Sequence, residues 1–269
     1  MGNVPGSAVA AALCAAVVHA TWNLAVARAD DTEGRMRAGS VWACALLIPL
    51  ALLTWGAESA AIPFMAASAL AHLVYFTALG RAYRTNDVDL VYAVSRGTGP
   101  VLVLLISVLA LSEPISLQAT IGVLAVAGGV LGLKAAGHAT RPAVLWGLAI
   151  GVTIAGYTLL DAEGVERAEP ISFLVVVLIP LAVLNLALLA HTGAVRAQIV
   201  QPAAAAVGTG MISAYVLVLW ALQRAPAPGV AALRETSIVI VAGAAGLGGG
   251  RRIAAAAVVL AGVVLIVTG

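Results

Sequence analysis

An arginine stands in the middle of a long apolar stretch. The segment Leu90-Val91-Tyr92-Ala93-Val94-Ser95-Arg96-Gly97-Thr98-Gly99-Pro100 runs on without further charge to Leu111. A guanidinium at a bilayer centre costs about 2.5–3.5 kcal/mol on insertion scales, so such groups face a protein interior or a wet cavity. The arrangement returns 138 positions later in Gly229-Val230-Ala231-Ala232-Leu233-Arg234-Glu235-Thr236-Ser237, where Arg234 falls on Arg96 and Val230 on Tyr92. In a low-dielectric cavity a guanidinium holds a carboxylate through paired, charge-assisted bonds. Arg96 and Arg234 are therefore candidate contacts for an anionic substrate. The competing reading is a structural ion pair. Glu235 is adjacent to Arg234 and cannot share its helix face. It aligns with Gly97, however, which puts it in reach of Arg96 from the other half of the chain.

Other polar residues sit at helical spacing in apolar runs. His19, Trp22 and Asn23 are spaced i, i+3, i+4 and share a face. That face is expected to line a substrate cavity, against the alternative of interhelical hydrogen bonding. Tyr92 lies one turn before Arg96 on the same face. Tyr157 and Asp161 are i, i+4, and Tyr157 lies near the repeat equivalent of Trp22. Asp161 falls at the predicted end of its span, where a solvated carboxylate is expected; the other reading makes it a proton carrier. Glu235 is deeper in its span, and Glu235 and Asp161 are the two candidate ion-coupling carboxylates. His72 and Tyr75 share a face and read, with Trp220, as packing or interfacial residues. No metal motif, nucleophile elbow or phosphate loop is present, so no cofactor is expected. Cys14 and Cys44 lie in apolar runs and read as packing residues.

The elements that must position these residues are membrane spans. Of 269 residues, 62% are hydrophobic and 10% charged, against about 25% charged in a soluble domain. The net charge of +2 and the absence of a basic run argue against a nucleic-acid partner. The first apolar run has no preceding Lys or Arg and carries His19, Trp22 and Asn23, so it reads as a permanent helix and not a cleaved signal. Ten spans are predicted, at Ser7–Ala27, Ala38–Gly56, Ala60–Ala82, Val88–Leu111, Ile115–Leu133, Ala143–Leu160, Ile171–Ala190, Ala203–Gln223, Pro228–Leu247 and Ile253–Thr268. The runs are continuous and do not alternate, which selects helices over barrel strands. The fold class is thus an all-α integral membrane protein. Five spans per half is an odd number, so the second half lies inverted relative to the first. The expected units are 1–136 and 143–269, joined by 137–142. Ala78-Leu79-Gly80-Arg81-Ala82 also resembles Ala221-Leu222-Gln223-Arg224-Ala225, a few residues out of the 138-residue register. Gly128 with Gly132, and Gly147 with Gly151, have spacing for close helix packing. Pro100 and Pro180 are kink candidates.

The ordered motifs resemble the EamA-like family of the drug/metabolite transporter superfamily over nearly the whole chain. They are His19-Ala20-Thr21-Trp22-Asn23, Asp89-Leu90-Val91-Tyr92 with Ser95-Arg96-Gly97, Ser112-Glu113-Pro114-Ile115-Ser116, Tyr157-Thr158 with Asp161, and Ala231 through Ser237. In place of a second glutamate-containing turn the chain has Gly248-Gly249-Gly250-Arg251-Arg252. The resemblance implies a secondary transporter, not an enzyme, with a central cavity between spans 1, 3, 4, 6, 8 and 9. It implies alternating access in the plasma (inner) membrane and export of a small metabolite. The arginines favour a carboxylate, an amino acid among the options. Proton or other ion coupling is expected; monomer and homodimer both stay open. The rival readings are a lipid or lipid-carrier flippase and, behind it, an intramembrane enzyme using His19, Asn23 and Asp161. Positive residues set the orientation. The odd-numbered loops hold Arg28, Arg35, Arg37, Arg81, Arg84, Lys134, Arg141, Arg196, Arg251 and Arg252, and the other side holds Arg167 and Arg224. Odd loops are expected in the cytoplasm and both termini outside.

Overall fold

The computed structural model describes residues 4–134, 140–244 and 249–269. The predicted link at 137–142, the end of the ninth predicted span and Gly248 fall wholly or partly outside the described residues. Twelve α-helices are described: α1 (Gly6–Ala27), α2 (Thr32–Leu53), α3 (Ile62–Thr85), α4 (Val88–Leu109), α5 (Leu117–Lys134), α6 (Arg141–Val165), α7 (Pro170–His191), α8 (Val195–Ile199), α9 (Pro202–Leu222), α10 (Ala227–Arg234), α11 (Thr236–Ala244) and α12 (Gly250–Thr268). No strand occurs among the described residues. Among the described residues, nine spans are long and apolar enough to cross a membrane, with α10 and α11 counted as one. The fifth predicted span, Ile115–Leu133, is a shorter apolar helix, Leu117–Leu133. This is a multi-pass membrane protein.

Its surface is the inverse of a soluble domain. Leu52, Leu53, Leu70, Leu109, Leu117, Val183 and Val264 are exposed, while Ser68, His72, Arg96, Asp161 and Glu235 are buried. Lipid is the solvent that makes this arrangement favourable, because it accepts leucine and rejects unpaired polar groups. Caps account for two departures from the predicted bounds, the start of α2 and the end of α4. Helix α2 begins six residues early because Asp31 accepts a 2.8 Å hydrogen bond from the Gly34 amide. Asp87 caps α4 in the same way through the Leu90 amide, at 3.1 Å. Helix α4 closes with Ser112 in the left-handed region at φ 56° and the Glu113 amide donating to the Ser107 carbonyl at 2.9 Å. That six-residue closure satisfies a carbonyl of the last turn.

The helices approach closely where glycine removes a side chain. A Cβ on Gly262 would lie 2.7 Å from the Gly122 carbonyl oxygen, which seats α12 along α5. Gly147 and Gly151 press against Val94 and Thr98, seating α6 on α4 as their spacing suggested. The other predicted glycine pair is only half used. A Cβ on Gly132 would lie 3.1 Å from Ala255, but one on Gly128 would face open space; one on Gly129, the next residue, would run into Val259 instead. Helices α1 and α2 pack on α9, α2 and α3 on α7, α3 on α6, and α1 and α4 against α10. Loops 54–58 and 166–169 are joined by an isolated bridge between Ala57 and Ala168.

The prolines do not break their helices: α4 continues through Pro100 and α7 through Pro180. The interruption lies in the ninth predicted span, which was read as one helix. It divides at Glu235, whose amide reaches the Ala232 carbonyl at 3.0 Å, while the Thr236 hydroxyl takes the Leu233 carbonyl at 2.7 Å. The local tightening to three-residue bonds and the hydroxyl's capture of a carbonyl end α10 at Arg234.

Candidate functional site

A cavity of about 170 Å³ lies inside the bundle, lined by α1, α3, α4, α6, α9 and α10, with Met36 of α2 and Leu178 of α7. These are the six spans that the family resemblance implied, joined by two residues from others. His19, Trp22, Asn23, Tyr92, Arg96, Tyr157 and Arg234 all reach its wall. Glu235 and Asp161 do not. A larger pocket of about 680 Å³ lies at the face carrying the termini and is lined by residues including Glu113, Glu163, Glu166 and Arg224. Burial and the neighbouring Glu163 and Glu166 carboxylates push Glu113 above its ordinary value.

The two arginines have different surroundings. Arg96 Nη1 pairs with Glu235 Oε1 at 3.2 Å, and Arg96 Nη2 donates to His19 Nε2 at 3.3 Å. Its guanidinium carbon sits 5.4 Å from the Tyr92 ring centre. The meeting of Glu235 with Arg96 that their register suggested does occur. Arg234 has no hydrogen-bond or ion-pair partner among the described residues; its guanidinium carbon lies 5.6 Å from the Tyr215 ring centre. The cause is directional. Glu235 follows Arg234 directly, so the helix turns its carboxylate away toward α4 while Arg234 stays on the cavity wall.

Aromatic rings fill the rest of the wall. His19 meets Trp22 edge-on at 5.0 Å. Tyr157 packs against His72 at 4.2 Å and Tyr75 at 5.6 Å. Gly210 lets α9 approach the Trp22 side chain, whose Nε1 is buried without a partner. Asn23 is turned back, donating to the His19 carbonyl at 2.7 Å.

Asp161 corrects the sequence reading. It is buried, not solvated, because α6 runs on to Val165 and carries it inside. Its two oxygens accept from Ser68 Oγ and from the Tyr215 hydroxyl, each at 2.5 Å. His72 Nε2 meets the same Tyr215 hydroxyl at 2.8 Å. One carboxylate thus ties α3, α6 and α9 together on the termini side of the cavity. His72 and Tyr75, read as packing residues, line the cavity, and Tyr215 was not singled out. A signal for it existed. The register that lays Ala78–Ala82 on Ala221–Ala225 also lays His72 on Tyr215. Trp220 does stand apart, stacked under Arg224 at 3.6 Å.

Residues 41–126 match a family model. That family is described as Small Multidrug Resistance protein. The matched segment holds most of α2, all of α3 and α4, and the first half of α5. A solved structure described only as a crystal structure of a protein has a similar fold. Its TM-score is 0.74 at 17% identity, over 97% of this chain and 98% of its own. No curated protein matches the sequence. The resemblance and the apolar helices together support a membrane transporter.

Proposed function

We propose that this chain is a secondary transporter of the EamA-like type that exports a small carboxylate-bearing metabolite across the plasma membrane. The observation that carries this is Arg234. A cation on a cavity wall inside an apolar bundle, with no carboxylate of its own, is a place for a substrate anion. Arg96, paired with Glu235, holds α4 to the broken helix.

Alternating access needs two related halves, and the packing supports that reading. Exchanging the halves maps α1 onto α6, α2 onto α7, α3 onto α9, α4 onto α10 with α11, and α5 onto α12. Under that exchange the α4–α6 contact becomes α1 against α10 and α11, α1–α9 becomes α3–α6, and α2–α9 becomes α3–α7. The pairs α2–α7, α5–α12 and α4–α10 map onto themselves. In this conformer the Asp161 cluster closes the termini side, and the cavity lies toward the face bearing loops 28–31 and 86–87. By the positive-residue count that face is cytoplasmic. Glu235 and Asp161 are the carboxylates through which a proton gradient would act.

The test is a melting screen of purified protein against amino acids and small organic acids. A ligand that binds only the folded state raises the melting temperature. At least one carboxylate should do so in the wild type and fail to do so in Arg234→Gln. If no carboxylate shifts the wild type, the proposal is wrong. For coupling, Glu235→Gln and Asp161→Asn are assayed in proteoliposomes with an imposed pH gradient; at least one should lose gradient-driven accumulation.

A further inference from the structure

The charge inventory of the cavity narrows the ligand further, on the premise that the chain transports carboxylates. Among the described residues, two arginines and two histidines reach the wall, and no aspartate or glutamate does. Neither of the two buried carboxylates nearby lines the cavity. Glu235 gives one oxygen to Arg96, and its other oxygen is buried without a hydrogen-bond partner, off the cavity wall. Asp161 is covered by Ser68 and Tyr215, which occupy both its oxygens. A carboxylate entering here meets Arg234 with its donors uncommitted. An ammonium entering here meets no carboxylate on the wall and the unpaired like charge of Arg234, while the charge of Arg96 is already balanced by Glu235. The faces of Tyr92, Tyr157 and Tyr215 attract a cation, but Arg96 and Arg234 already lie near two of those rings.

The walls describe the rest of the molecule. The same wall holds Trp22, Tyr75, Phe76 and Tyr157, with Met36 and Met211. Aromatic faces and thioethers favour a flat apolar body. The volume of about 170 Å³ lies below the roughly 300–1,000 Å³ of pockets for drug-sized ligands. We infer that the cavity selects a small aromatic monocarboxylate without an amino group, and discriminates against the zwitterionic amino acid of the same skeleton. The selection is made by the missing carboxylate as much as by the present arginine.

The experiment compares 3-phenylpropionate, L-phenylalanine, 2-phenylethylamine and propionate by melting-temperature titration of the purified full chain. 3-Phenylpropionate should raise the melting temperature, with an apparent affinity at least about tenfold better than any of the other three, a gap of about 1.4 kcal/mol. Arg234→Gln should abolish that shift and Arg234→Lys should retain only part of it, since lysine cannot form the paired contact. The unliganded melts of both variants report whether they fold. Equal shifts with L-phenylalanine or 2-phenylethylamine would overturn the exclusion of the amino group. An equal shift with propionate would overturn the aromatic requirement. A shift that survives Arg234→Gln would place the ligand elsewhere. If 3-phenylpropionate fails but another carboxylate binds in an Arg234-dependent way, only the narrower inference falls. If no carboxylate binds at all, the transport reading falls with it.

Discussion

Arg96 and Arg234 occupy matching sequence positions, yet their removal should have very different consequences for stability. Glu235 is 2% exposed and Arg96 7% exposed, with their charged atoms 3.2 Å apart. At an effective dielectric constant of about 20, that separation corresponds to about 5 kcal/mol of attraction. Removing one partner strands the other in the interior, which costs about 3–5 kcal/mol. Arg96→Met should therefore destabilise the protein by that amount, as should Glu235→Met. The double substitution should recover most of the loss, because two apolar side chains replace a desolvated pair. Arg234→Met leaves no carboxylate stranded. It loses a ring contact worth about 0.5–2 kcal/mol and relieves the burial of an unpaired cation, so its net effect should stay within about 1 kcal/mol of zero. Five tryptophans give a fluorescence readout for thermal melts in detergent. A single substitution at the pair should lower the melting temperature by roughly ten degrees or more, and Arg234→Met by a few at most. Equal losses at Arg96 and Arg234, or a double variant no better than the single ones, would refute the division into a paired and an unpaired arginine.

Four further outcomes are expected. Tyr215→Phe removes the hydroxyl shared by Asp161 and His72 and should cost about 1–3 kcal/mol, read in the same melt, with a matching loss of transport in proteoliposomes. Gly262→Val forces a side chain into the Gly122 carbonyl and should cost about 1–3 kcal/mol. Gly128→Ala, with nothing within 4 Å, should be neutral or stabilising by up to about 1 kcal/mol. Orientation is tested in a background lacking Cys14 and Cys44: a cysteine at Ser59 should react with an impermeant maleimide in intact cells, and one at Asp30 should react only after permeabilisation.

The membrane class and the broad helix order were legible in the sequence, because hydropathy accumulates along the chain and needs no partner to express itself. The depth of Arg96 was legible for the same reason. The seven proposed substrate contacts, found by spacing, do share one cavity wall, since helical periodicity fixes which residues share a face. Periodicity does not fix how far a helix extends or how it rotates against another. Asp161 was misread because the end of α6 depends on the turn that follows it. The break at Glu235 was missed because apolar content is blind to whether a backbone amide reaches three or four residues back. His72 and Tyr215 stand 143 residues apart, and only the seating of α3 and α9 around α6 brings them to one hydroxyl. The two arginines carry the same burial signal, and register put Glu235 within reach of Arg96 alone. Only the packing of α10 against α4 turned that reach into a contact and left Arg234 facing the cavity.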